Sequence, residues 1–371
     1  MDHEIRATAA RRFPLLGRPR PSCPSLTERI HDLAAIVNGD DTDRLGQGAH
    51  ALNMAALIAS DCGLPDLAHQ LCWQHINTYR AVHHESGQPL TVLQTRYLLE
   101  PVLNLARLRI RANDGNSALD LLTAMYRAVS TNTDLAVDGE TIPLTNLRGT
   151  RHDHLKLREW VWLQLLGDGT RALTLSGRWN DAVVHAQAHR GIGLHLMEGR
   201  QAVIIAHCLN DALDDARAAL AECTPIHPWE IQVVSCLKVM CHGPDAERLA
   251  RHIDTMIDEF LHRTAQPGYA SYRTQLGLTM ATLAAVAKPH AARRVLIELV
   301  DEVIRSGDGY AARDLLRHHE RHGAIMTNVQ QNALWTMLTA AGLGSRHLSP
   351  ALLSNVLAAA DTAAEFVRSA L

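Results

Sequence analysis

Apolar residues return every three or four positions along most of this chain and almost nowhere alternate. That spacing is the signature of amphipathic helix, and it predicts a series of helical pairs joined by short turns. Ser25-Leu26-Thr27-Glu28, directly after Pro24, reads as a capping box that opens the first helix. Leu26, Ile30, Leu33, Ala34 and Val37 carry its apolar stripe, and Asn38-Gly39-Asp40-Asp41 ends it. Helix pairs follow over 44–62 with 66–81, 91–112 with 116–129, 155–176 with 179–190, and 193–208 with 211–222. Three more cover 229–242 with 245–263, 270–286 with 290–305, and 309–321 with 328–341. Ser349-Pro350, an N-cap followed by proline at the first helical position, starts a last helix that runs to about Arg368. Period-two alternation is confined to residues 134–147.

The pairs share a turn layout. Gly63-Leu64-Pro65-Asp66-Leu67-Ala68 and Gly177-Arg178-Trp179-Asn180-Asp181-Ala182 each place a glycine in the turn and an alanine five residues later. Glycine accepts a left-handed conformation at a helix end, and alanine lets two helices cross closely. Ala118, Ala216, Ala292 and Ala311 occupy comparable places, followed four residues on by Leu122, Leu220, Leu296 and Leu315. With Pro228 after Ala216 and Leu220, this resembles the second-helix half of the tetratricopeptide repeat (TPR). The resemblance covers most of residues 44–320 at superfamily level. The first-helix Trp-x-x-Leu-Gly-x-x-Tyr pattern is not legible, and the alanine spacing is not a strict 34-residue period. It implies an all-α fold: a right-handed α-solenoid of TPR-like hairpins over 25–345, with a capping C-terminal helix over 346–371.

Two segments fall outside that pattern. Residues 1–24 carry Arg6, Arg11, Arg12, Arg18 and Arg20 among four prolines and read as a flexible tail without a signal-peptide core. Residues 130–154 read as an insertion. Asp138-Gly139, between Leu135/Val137 and Ile142/Leu144, predicts a small hairpin there.

Composition narrows the class. The chain of 371 residues is 47% hydrophobic, 20% charged and only 4% aromatic, so its core must be mainly Leu, Ala, Val and Ile. A net charge of −3 offers no basic surplus for nucleic acid. Positive charge is almost all Arg, which reads as the bias of a G+C-rich genome of actinobacterial type. No apolar run reaches membrane-span length. The seven cysteines include no CxxC and read as reduced core thiols of a cytoplasmic protein.

Candidate chemistry is sparse. His185 with His189 and His318 with His322 have metal-compatible spacing on a helix, but neither pair has an identifiable third ligand. His319-Glu320-Arg321-His322 is one residue short of HExxH. No phosphate loop, nucleophile elbow or kinase signature occurs, so no cofactor and no metal is expected. The acidic runs Asp40-Asp41-Thr42-Asp43 and Asp214-Asp215 resemble magnesium-binding clusters, yet three Phe in all cannot line a terpene-type cavity. Asp214 and Asp215 suit the first turn of a helix.

Polar residues on the first helices are the stronger signal. Asn53 interrupts an apolar run; Arg96, Glu100 and Asn104 recur every four residues, with Arg107 nearby; Glu159, Trp160, Gln164, Asp168 and Arg171 follow on the next first helix. His195 and Arg200, then Trp229, Glu230 and Gln232, continue the series. First helices of TPR-like arrays line a concave face that binds peptides. The candidate ligand-binding set is therefore Asn53, Arg96, Glu100, Asn104, Arg107, Glu159, Trp160, Gln164, Arg171 and Arg200, for a peptide or protein partner. The array also resembles the sensor halves of peptide-responsive bacterial regulators, without the DNA-binding helix-turn-helix before it. The alternative is a helical enzyme with a groove site near the insertion, using Glu100, Glu159, Asp168, His152 and His154 as acid–base groups. Val295, Leu296, Leu299, Val300 and Val303 form an apolar stripe that suits a homodimer interface or, more simply, core.

Overall fold

The computed structural model describes residues 2–39, 43–243, 245–264, 266–322 and 326–371. They form seventeen helices and one two-stranded hairpin, divided into two compact units. The first unit comprises Ser25–Ala172 and Gly342–Leu371; the second comprises Met1–Pro24 and Leu173–Ala341. Each unit is thus completed by a segment from the opposite end of the sequence.

The first unit holds α2 (Leu26–Asn38), α3 (Arg44–Asp61), α4 (Pro65–Ser86), α5 (Val92–Arg111), α6 (Gly115–Thr131), most of α7 (Arg151–Leu175) and α17 (Pro350–Ala370). Side chains close the helix ends as the sequence requires. Ser25 and Glu28 form the expected capping box on α2, Thr91 and Gln94 form another on α5, and Asp43 and Asp114 cap α3 and α6. Consecutive helices pack in pairs, and α3 also packs on α5, so first helices neighbour first helices. Ala68 and Ala118 are fully buried at these crossings, which fits their small size. α17 lies against α2, α3 and α4. The backbones of α3 and α17 nearly touch at Gly48, where a Cβ would stand 2.6 Å from the Ala363 carbonyl oxygen. The C-terminal helix is therefore part of this unit's core.

The insertion folds as anticipated. β1 (Leu135–Val137) and β2 (Glu140–Ile142) pair antiparallel with Leu135 opposite Ile142. Asp138 (φ 50°) and Gly139 (φ 85°) make the tight turn. Leu135, Val137, Ile142 and Leu144 are buried in the unit's core, and Asp138 is held by Arg109 at 2.6 Å.

The second unit holds α1 (His3–Ala10) together with α8 (Trp179–Ala188), α9 (Glu198–Leu209), α10 (Leu213–Ala221) and α11 (Pro228–Met240). It continues through α12 (Ala246–Leu261), α13 (Ala270–Ala284), α14 (Pro289–Ser306), α15 (Gly309–His322) and α16 (Asn328–Ala340). Here too each helix packs on the next, and α9 on α11, α11 on α13, α13 on α15. Ala182, Ala216, Ala292 and Ala311 are buried.

Residues 1–24 differ from the flexible tail read in the sequence. They contain α1, and Arg6, Ala9, Ala10, Phe13, Leu15 and Cys23 are buried against the second unit. Two of the arginines that gave the segment its tail-like composition are paired with acids: Arg6 donates to Asp211 at 2.7 Å, and Arg18 to Glu198 at 2.9 Å. The helical array read as continuous over 25–345 divides within α7 at residues 172 and 173.

Candidate functional site

α5 carries a proline, Pro101, in the middle of its 20 residues. Proline has no N–H to give the Tyr97 carbonyl four residues back, so the helix's bonding is interrupted beside Glu100. Tyr97 and Glu100 line an open cleft of about 820 Å³, together with Ala35 and Ile36 of α2, Gly39 just after it, and Asp43, Gly46, Gln47 and His50 at the start of α3. The Gln47 amide donates to the carbonyls of Ile36 and Gly39. Asp43 accepts from the Gly46 amide at 2.9 Å.

Glu100 is the hinge between this cleft and a polar strip across α3, α5 and α7. The Asn53 amide donates to one carboxylate oxygen of Glu100, and Asn104 donates to Asn53 at 3.1 Å. Arg96 lies 3.9 Å from the other carboxylate oxygen, and its guanidinium sits over the Trp160 ring, 5.4 Å from the centroid. Arg107 donates to Asp168 at 3.0 Å and to Gln164 at 3.4 Å. One turn further, Arg111 reaches Ser60 and lies 3.1 Å from Asp61, which also binds Arg29 at 2.7 Å.

The strip has a layered charge. The guanidinium side chains of Arg96 and Arg107 are 51% and 46% exposed, whereas their acidic neighbours Glu100 and Asp168 lie deeper. Burial raises the Glu100 carboxyl above its ordinary value; Arg96, the Asn53 amide and Arg107 oppose that shift without cancelling it. Tyr97 is pushed up by burial and then by the charges of Asp43 and Glu100. The arrangement presents fixed cations to solvent from a partly desolvated acidic base. It can bind a carboxylate through guanidinium forks and a backbone amide through Asn or Gln.

Asn53, Arg96, Glu100, Asn104, Arg107, Trp160 and Gln164 are therefore brought together. Glu159 and Arg171 are exposed on α7, the helix that carries Trp160 and Gln164. Arg200 does not join them: it lies in the second unit and is 7% exposed. It donates to the Gly193 carbonyl at 2.7 Å and to Glu222 at 2.9 Å, which makes it a local tie. Glu230, on the same series, is fully buried and accepts from the amides of Leu196, Ile226 and His227 at 2.9–3.0 Å. Burial alone would raise its carboxyl, but those amides, with His195, hold it below the usual value.

The insertion does not line the cleft, and His152 and His154 stand at the start of α7. The His185 and His189 rings meet edge-on, 4.9 Å between centroids. Among the described residues no group of three potential metal ligands gathers. Asp40, Asp41 and Thr42 lie outside the described residues, as does the side chain of His322. No helix among the described residues is long and apolar enough to cross a membrane.

Tyr97 and Gln47 were not singled out by sequence, and Asp43 was noted only as the end of an acidic run. The signal available was Pro101, a proline inside an otherwise periodic helix. Comparison with protein-family models, with curated proteins and with solved structures finds no match to this chain.

Proposed function

We propose that the chain is a TPR-like helical-repeat binding protein, a right-handed stack of hairpins, that engages a carboxylate-bearing peptide or protein partner on the α3–α5–α7 strip. The repeat assignment draws on the buried marker alanines and on first helices packing against first helices. The observation that carries the binding role is Glu100. A carboxylate with a raised pKa, held half-buried beneath two exposed guanidinium groups, is a costly arrangement for a merely solvated face. It anchors Arg96, as Asp168 anchors Arg107, before a partner arrives, which lowers the ordering cost of binding. All seven cysteines are free thiols, which suits a reducing, cytoplasmic-type compartment.

The test is a fluorescence-anisotropy screen of acidic and carboxylate-terminated peptides against the wild type and the double variant Arg96→Ala/Arg107→Ala. Loss of two guanidinium–carboxylate contacts is expected to weaken a bound peptide at least about 30-fold. Peptides that bind both proteins equally would remove the strip from the function.

The enzyme reading rests on the same carboxyl, with Tyr97 and His50 around the cleft as partners. The cleft is open and no residue of the insertion lines it, which favours binding. Turnover abolished by Glu100→Gln, with substrate affinity retained, would reverse that preference.

A further inference from the structure

Residues 12–24 cross the second unit without helix or strand, with one tight turn where the Arg18 amide donates to the Leu16 carbonyl at 2.9 Å. Their contacts come from successive first helices. On α9, the side-chain amide of Gln201, fully buried, grips the Leu15 main chain at both ends: its Oε1 accepts from the Leu15 N–H and its Nε2 donates to the Leu15 carbonyl, each at 2.8 Å. On α11, Gly17 packs onto Trp229 so closely that a Cβ would lie 2.2 Å from Cγ of the indole. On α13, Thr282 accepts from Arg12 at 3.3 Å. At α15, Arg20 lies over the Tyr310 ring at 3.9 Å, and the Cys23 carbonyl accepts from the Gly309 amide at 2.9 Å. The Arg20 amide donates to the Gly268 carbonyl at 2.7 Å. Phe13, Leu15 and Cys23 are the buried anchors.

This is how a groove holds a peptide ligand. Main-chain groups supply the hold, alternate side chains enter pockets, and one glycine permits a close pass. We propose that the first-helix face of the second unit is a peptide-binding groove, that residues 12–23 are its tethered ligand, and that an extended segment with the pattern Leu-x-Gly-Arg-x-Arg from another polypeptide competes for it. The pattern is written in Leu15, Gly17, Arg18 and Arg20. Gln201 reads backbone and is indifferent to sequence; the Trp229 contact demands glycine; Glu198 and Tyr310 take the two arginines.

The tether explains why the groove is filled. A covalently linked ligand acts at an effective concentration near millimolar, so only a segment that binds better than that displaces it. One contact carries a desolvation cost. The Arg12 guanidinium is desolvated beside His318, and burial, with Arg321 nearby, lowers its pKa to about 10. Its hydration is regained when the segment leaves. This site is separate from the α3–α5–α7 strip, and changes at Arg96 and Arg107 leave it intact.

A specific protease site placed between Pro24 and Ser25 makes the tether removable in the full chain. The probe is a labelled synthetic peptide of residues 11–24. The uncleaved chain is expected to take up little of it, and the cleaved chain to bind it saturably with retained helical circular dichroism. A Gly17→Ala peptide should bind at least about 10-fold more weakly, and Gln201→Ala in the cleaved chain should weaken the parent peptide by a similar factor. A scrambled peptide that binds as well as the parent would reduce the effect to nonspecific adsorption and overturn the proposal. So would cleaved chain that never exchanges its segment, or that unfolds when the segment is removed. Hydrogen exchange on the uncut parent chain supplies a second readout. Amides of residues 12–23 should exchange well before those of α9, α11 and α13; exchange in step with those helices would make the segment ordinary core.

Discussion

Polar residues recur on the first helices of both units, but they do opposite work. In the first unit Arg96 and Arg107 point their charged ends to solvent over Glu100 and Asp168. In the second, Arg200, Gln201 and Glu230 are buried and spend most of their hydrogen-bonding capacity on main chain: Gly193, Leu15, and the amides of Leu196, Ile226 and His227. The difference lies in what each side chain faces. Where neighbouring backbone needs a partner, a polar residue becomes structural, and its removal orphans buried donors. Where backbone is already satisfied within helices, the same residue type remains available to a ligand.

The sharpest test of that contrast is Glu230→Ala against Arg96→Ala. Removing Glu230 leaves three amides without their acceptor, of which the Leu196 amide is in a buried residue. We expect a loss of about 3 kcal/mol in urea denaturation. Arg200→Ala should cost about 1–2 kcal/mol through the Gly193 and Glu222 contacts. Arg96→Ala, at an exposed ion pair, should change stability by less than about 0.5 kcal/mol. Equal costs for Glu230→Ala and Arg96→Ala would erase the distinction between the two faces.

A second test uses acid. His75 on α4, in the first unit, is fully buried, and among the described residues neither ring nitrogen has a hydrogen-bond partner. Burial pushes its pKa down to about 3 from 6.5. Its folded value lies below its unfolded one, so the unfolded chain takes the proton first, and stability falls as pH drops below about 6.5. Between pH 6.5 and pH 5 this single group should cost the first unit about 2 kcal/mol. In the second unit burial shifts His189 and His252 the same way, but both are only partly buried. Glu230, depressed below 4.5, contributes stability that is lost only at lower pH, as its folded pKa is approached. The first unit should therefore loosen first on mild acidification. Urea melts at pH 7 and pH 5 check this, with His75→Leu expected to flatten the dependence. An unchanged slope in His75→Leu would mean that another group carries it.

Much of the architecture was legible because helix ends are local events. Ser25 with Glu28, three residues apart, and Ser349 with Pro350, adjacent, mark helix starts, and the structure uses both. The hairpin at Asp138-Gly139 is equally local. The marker alanines were readable because small size is the property the crossings need. The fate of residues 1–24 was hidden for the opposite reason. Arg6 is buried because it meets Asp211, 205 positions away, and no local pattern announces that pairing. The candidate site was half-legible. Four-residue spacing placed Arg96, Glu100 and Asn104 on one face, but the same periodicity could not separate Arg107, exposed, from Arg200, tied to Gly193. Gln201 sits one position beyond Arg200, about 100° around the helix, and it is this neighbour that holds Leu15.

The smallest effect is also the most diagnostic for the strip. Glu100 has a carboxyl raised chiefly by burial, so its folded pKa lies above its unfolded one. The sign is then fixed: its contribution favours folding at low pH and is lost as pH rises through the folded pKa, leaving the ionised group a net cost near neutrality. Glu100→Gln removes that charge and keeps an acceptor for Asn53. We expect the variant to be slightly more stable at pH 7, by about 0.5 kcal/mol, and its advantage to shrink as pH falls. The same change releases Arg96 from its anchor and should weaken binding of a carboxylate peptide several-fold. A residue that costs stability and supports affinity is behaving as part of a binding site. If Glu100→Gln instead lowers both the melting temperature and nothing else, Glu100 belongs with Glu230 as a structural carboxylate, and the contrast between the two faces disappears at its centre.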